Sequence, residues 1–212
     1  MGDLLLQDIQ KNQQALFYNV EKQCFVDSNG NDYSGDNEYV LNLTTQLTSL
    51  CNGESGMELV SSLVDSEKGV EITQGQKNVE GEWLKSTLAD NVVSGIQYSG
   101  ESGSSDGTPY TALGHELAHS LDRINGTLDN SKWFVADNKI IPVAEIYATH
   151  VENKLRAEHG IPLRRYYAYD TMGGGFGPSI LDTNNRSLYY TFDGTHNPNY
   201  KVIRPREQRY KY

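Results

Sequence analysis

The segment Thr111-Ala112-Leu113-Gly114-His115-Glu116-Leu117-Ala118-His119-Ser120-Leu121-Asp122 limits what this chain can fold into more than any other. Its apolar positions and strong helix formers predict a buried helix. The same helix carries His115, Glu116 and His119. On a helix, positions i and i+4 lie one turn apart on one face, so two imidazole nitrogens can be presented to one ion. Zinc suits that arrangement. Glu116 stands one position after the first histidine, where its carboxylate can reach a water on the metal and take its proton as the ion lowers the water's pKa towards 7. This is the combination that hydrolysis of a peptide bond calls for. With 5 histidines in 212 residues, the spacing rarely arises by chance. Ala118 keeps the ligand face small, and Asp122 is placed to orient a ligand imidazole through its other ring nitrogen.

Catalytic zinc keeps three protein ligands and one open position, so a third ligand has to come from downstream. A third histidine six residues past the second is excluded, because that position is Asn125. A glutamate on a second helix is the simplest solution. Pro142 reads as the first-turn proline of such a helix, which Val143 to Glu158 continue and Gly160 and Pro162 end. Glu145 and Glu152 lie on it nearly on one face, whereas His150 sits off that face. Either could bind: Glu145, near the helix start, is the preferred ligand with Glu152 as the alternative, and otherwise Glu152 is expected to support a ligand or to pair with an arginine. Attack on a carbonyl also needs a group that stabilises the oxyanion, and Leu163-Arg164-Arg165-Tyr166-Tyr167 supplies arginine and tyrosine directly after that helix. Tyr167 and Arg164 are the expected pair, with Tyr166 as the alternative to Tyr167.

Composition narrows the classes left open. A net charge of -10 argues against nucleic-acid binding, because neutralising phosphates takes a basic face and none is evident before residue 200. Residues 201–212 differ, with five basic residues against Glu207 alone, and are expected to form a solvated basic tail. No basic stretch followed by an apolar run opens the chain and no long apolar run occurs, so neither a signal peptide nor a membrane span is expected. Leu6 stands where N-myristoylation wants Ser or Thr. Cys24 and Cys51 lack CxxC spacing and are compatible with one disulfide or two thiols.

Length allows one domain. Residues 1–16 read as a polar helix or arm, and Leu16 to Val20 and Cys24 to Val26 as strands. Asp27-Ser28-Asn29-Gly30-Asn31-Asp32 reads as a turn; its glycine is fourth, not sixth as a calcium loop requires. Tyr39, Val40, Leu43, Leu47 and Leu50 recur at helical spacing behind a candidate cap, Asp36. Gly53 and Gly56 interrupt the pattern before a second helix through Met57 and Val64, which leads into a strand at Gly69 to Thr73. Another strand spans Val92 to Tyr98, and short strand-like pieces such as Ser187 to Phe192 follow Gly173. The division is residues 1–37 as arm and strands, 38–200 as the main domain and 201–212 as the tail, in an α+β fold.

Four runs carry a resemblance: Asn42 to Thr73 with its two short helices and a strand, His115-Glu116-Leu117-Ala118-His119, Glu145-Ile146-Tyr147-Ala148, and Glu152 to Arg164 with its Glu-Asn-x-x-Arg-x-x-x-Gly-x-Pro-x-Arg pattern. Together, over roughly residues 38–170, the chain resembles the NleD-like effector metallopeptidases of bacterial pathogens. That resemblance implies a single-domain zincin of gluzincin type, with a small sheet packed on the HExxH helix and a second helix bearing a ligand. It implies a zinc-dependent endopeptidase acting on protein substrates, delivered into host cells by a secretion system or carried as a toxin domain; oligomeric state stays open, with a monomer favoured, and neither nucleic acid nor membrane is expected as a partner. The best-known member cuts host mitogen-activated protein kinases, but no kinase-docking element is evident here. The Arg164-x-x-Tyr167 spacing is also similar to the arginine and tyrosine pair of clostridial neurotoxin light chains. The competing readings are a zinc peptidase toxin acting on bacterial targets and a non-catalytic metal-binding module, although the latter would have no use for Glu116.

Overall fold

Leu4, Leu5 and Leu6 are all buried, which a strand achieves only where both faces of its sheet are covered. In the computed structural model, which describes residues 4–8, 14–84, 91–102, 106–169, 174–195, 203 and 208–212, this triplet belongs to strand β1 (Leu4–Asp8). The expected polar helix or arm is therefore replaced, in its described part, by a core strand. Local polarity pointed the wrong way because pairing on both sides fixes the segment: β1 runs antiparallel to β2 (Gln14–Asn19) and parallel to β4 (Gly69–Gln74). With β3 (Cys24–Val26), β5 (Val79–Gly81) and β6 (Val92–Tyr98), these strands make a six-stranded sheet in the order β3-β2-β1-β4-β6-β5. The β4–β6 pair is parallel, and β5 closes the far edge antiparallel to β6.

Three helices accompany this sheet. Helix α1 (Glu38–Cys51) buries the stripe Val40, Leu43, Leu47 and Leu50. Its cap is Asn37, whose side chain accepts from the Tyr39 amide at 3.0 Å, and not the expected Asp36. Helix α2 (Glu54–Val64) begins earlier than glycine punctuation implied. Gly56 lies inside it because a Cβ there would meet the Leu50 carbonyl oxygen at 2.0 Å. The glycine permits the close approach of α2 to the end of α1. Helix α3 (Pro109–Ile124) packs on β6 and on both other helices. Before α1, Asp27 closes its own turn by accepting from the amides of Asn29 and Asn31 at 2.8 and 2.9 Å, while Lys22 pairs with Asp32 at 2.7 Å. Cys24 and Cys51 are free thiols.

The chain divides into two compact units, Met1–Thr127 and Leu128–Tyr212. The second opens with a hairpin, β7 (Lys132–Ala136) and β8 (Lys139–Pro142), which the sequence did not announce. Asp137 and Asn138 both take positive φ, 46° and 61°, as a two-residue hairpin turn requires. Pro142 thus ends a strand, and helix α4 (Ala144–Glu158) starts two residues later. Two further pairs complete the unit: β9 (Tyr166–Tyr169) with β10 (Gly175–Ser179), and β11 (Arg186–Thr191) with β12 (Arg209–Lys211). Its core joins Val143 and Ile146 of the α4 region to Tyr189 and Tyr190 of β11. Within the tail, Arg209–Lys211 form a strand with Arg209 paired to Asp182 at 3.0 Å; Lys201, Arg204 and Arg206 lie outside the described residues. The protein is mixed α+β, with a six-stranded sheet and four α-helices among the described residues. No helix among them is long and apolar enough to cross a membrane.

Candidate metal centre

Helix α3 is fixed at both ends. At its start, Thr108 and Thr111 form a reciprocal cap, with the Thr111 amide donating to Thr108 Oγ1 at 3.3 Å and the Thr108 amide to Thr111 Oγ1 at 3.1 Å. Pro109 occupies the first turn, where its missing N–H costs nothing. At its end, Arg123 makes a two-pronged pair with Glu80 of β5, Nε at 2.7 Å and Nη2 at 3.1 Å. Ser94 of β6 donates to the same Glu80 and lies 2.9 Å from Ser120 of α3. The polar run from edge strand to helix is thereby satisfied without leaving the core.

Between these anchors every residue from Thr111 to Ser120 is buried, including His115, Glu116 and His119. The two imidazoles meet edge to face with centroids 5.0 Å apart, the arrangement that one-turn spacing predicts. Asp122 is also buried, and its Oδ1 accepts from Thr127 Oγ1.

In the second unit, α4 is set by its entry. The amides of Val143 and Ala144 donate to the carbonyls of Ser131 and Asp129, each at 2.9 Å. Glu145 falls in the first turn, where the positive end of the helix dipole favours a carboxylate. One ligand atom each from His115, His119 and Glu145 lie within 4.8 Å of one another, so these three could hold a metal ion. Two imidazoles and one carboxylate match the donor set of open zinc sites.

Glu152 has a different task. Its carboxylate is shared by Arg156, Nε to Oε1 at 2.8 Å, and Arg164, Nη1 to Oε2 at 2.6 Å. Arg164 Nη2 donates to the Tyr167 carbonyl at 2.6 Å, and its guanidinium lies 5.3 Å from the centre of the Tyr167 ring. Burial works against the charge on Arg164, yet the Glu152 carboxylate outweighs it and holds the guanidinium above its ordinary value, with a smaller contribution from Glu145. Asn153 fastens the same stretch, accepting from the Arg164 amide at 2.7 Å and donating to its carbonyl at 3.0 Å. Tyr167 is further enclosed by Trp133 and Phe134, with ring centroids at 6.5 and 6.3 Å. Those two aromatics escaped the sequence reading because nothing marked residues 132–142 as a hairpin. Tyr166 lies beside Gly175 across the β9–β10 pair.

Fold and site together define a mixed α+β protein in which a helical His-Glu-x-x-His and a glutamate of a second helix could bind metal. The model of the peptidase M91 family, described as effector protein, matches residues 27–167. The chain belongs to that family, the NleD-like effector metallopeptidases, and the resemblance read from its motifs is borne out. Membership makes it a peptidase of the effector class acting on protein substrates. The comparison with curated proteins returned no match.

Proposed function

We propose that this protein is a zinc-dependent endopeptidase, secreted by a bacterium and delivered into a host cell, where it cleaves host proteins. Signalling kinases are the first substrate class to test. The observation that carries the reading is that ligand atoms of His115, His119 and Glu145 lie within 4.8 Å of one another. Two neutral imidazoles and a carboxylate leave room for water and substrate. Zinc, when bound there, would supply Lewis acidity, polarising the scissile carbonyl and lowering the pKa of water towards 7.

The chain's own residues do the rest. The Glu116 carboxylate, buried beside His115, takes a proton from the attacking water and returns it to the nitrogen of the leaving amine. The Tyr167 hydroxyl donates to the carbonyl oxygen as negative charge builds on it. Arg164, engaged with Glu152 and the Tyr167 carbonyl, holds that tyrosine in place and adds positive potential near it. Residues 38–200 serve as one zincin domain of gluzincin type, a reading supported by a family match that runs through both compact units.

The test compares the wild-type protein with Glu116→Gln by metal analysis and proteomic mapping of new termini. Glu116→Gln is expected to keep its zinc while cleavage falls about a thousandfold, the scale of a lost general base. A variant that retains zinc and yields the same cleavage products would falsify the assignment of Glu116.

A further inference from the structure

His150 lies off the face of Glu145, yet its surroundings are the most specific on α4. It is buried in the middle of the helix, and its ring stacks flat on Tyr190, with centroids 3.7 Å apart and planes 5° from parallel. Tyr210 meets it edge-on at 5.1 Å. Its Nδ1 is hydrogen-bonded to the Tyr212 hydroxyl. Burial pushes the Tyr212 hydroxyl above its ordinary pKa, and the neighbouring side chains of Ser187 and Asn153 act in the opposite direction. Asn153 in turn clasps both backbone groups of Arg164. The strand that delivers Tyr212 is anchored by the β11–β12 pairing, by Arg209 on Asp182, and by Arg209 Nε on the Ile203 carbonyl at 2.9 Å.

We propose that residues 208–212 form a latch and that Tyr212 is a positioning residue for the metal centre, setting the roll of α4 through His150. The proposal rests on the reading of Glu145 as a ligand. Glu145 precedes His150 by five residues, about 7.5 Å along a rigid helix at 1.5 Å per residue, so a change in roll at one is felt at the other. Flat stacking on Tyr190 tolerates sliding in the ring plane. A hydrogen bond at Nδ1 does not, because its strength falls steeply with misalignment. Asn153, on the same helix as His150, clasps the start of the Arg164–Tyr167 stretch. Tyr212 therefore acts on the helix that carries both Glu145 and the Asn153 clasp on Arg164.

The experiment uses the full chain. Zinc affinity is measured by competition with a chromophoric chelator, and coordination by the visible absorption of the cobalt-substituted protein. Tyr212→Phe is expected to weaken zinc binding about tenfold, the low end for groups that orient ligands, and to change the cobalt bands while the metal-free protein stays folded. His150→Leu should have the same effect, and the double variant no more than either alone. Glu145→Ala is the reference and should lose far more affinity. If Tyr212→Phe stays within about twofold of wild type with an unchanged cobalt spectrum, the latch is wrong, whereas an unchanged Glu145→Ala would overturn the ligand reading beneath it. Should Tyr212→Phe fail to fold, Arg209→Gln loosens β12 at Asp182 and leaves His150 in place; the same loss of affinity supports the latch and its absence rejects it.

Discussion

At Glu152, one carboxylate is shared by two guanidiniums, and the burial of the cluster decides what the arrangement is worth. Arg156 is fully buried, and Arg164 is largely buried with 14% of its side chain exposed. Two buried cations left without their shared anion cost far more than any exposed pair, so Glu152→Ala should destabilise the protein by about 3–5 kcal/mol in denaturant unfolding. A loss below about 1 kcal/mol would mean that solvent reaches these guanidiniums and the network is of surface type. The solvated pair of Lys22 and Asp32 is the internal contrast, open to water on both sides. The same network also explains why Glu152 and Glu145 part company despite sharing a helix face. Two arginines engage Glu152, whereas Glu145 has His115 and His119 within reach.

Among the elements, α3 gains its definition from both ends, and the far end is the less obvious. Thr108, Pro109 and Thr111 make an ordinary start signal. The Arg123–Glu80 pair, by contrast, fastens the last turn to an edge strand of three residues that is paired on one side, to β6. Arg123 keeps some exposure, which discounts the pair, so Glu80→Ala should cost about 2 kcal/mol. Amide exchange is the sharper readout: protection should fall in β5 and the last turn of α3, while β1 and β4 keep theirs. Uniform loss across the sheet would show that Glu80 supports the whole unit and not the edge. The β7–β8 hairpin carries a related lesson. Its turn residues Asp137 and Asn138 adopt left-handed backbone, and the strands they join place Trp133 and Phe134 against Tyr167.

For the whole molecule, a metal held by residues of both α3 and α4 would tie the stability of the native state to metal concentration. Binding to the folded state alone at one hundred times the dissociation constant adds about 2.7 kcal/mol. For a chain of this length, that converts to about 5–10 °C in the midpoint of thermal unfolding. Stripping with a chelator should lower the midpoint by that amount, and zinc should restore it. Glu145→Ala should show little response to either treatment. If the midpoint of the wild-type protein ignores both, the three residues do not form a zinc site of useful affinity.

Residues adjacent in sequence were legible because their chemistry depends on local geometry alone. His115, Glu116 and His119 lie within about one turn, so helix periodicity suffices to bring two imidazoles together, and α1, β4 and β6 follow from periodicity in the same way. Glu145 was readable as a candidate because helix spacing and donor chemistry left few others. Elements held by distant partners were not readable. Leu4 to Leu6 looked like the edge of a polar arm until β2 and β4 flanked it, and Pro142 looked like a helix start although it closes a hairpin. His150 seemed idle because Tyr190, Tyr210 and Tyr212 reach it from positions at least 40 residues further along the chain. Local chain geometry accounts for the two-histidine motif and its chemistry. Long-range pairing, which no short window of sequence contains, accounts for what holds that chemistry in position.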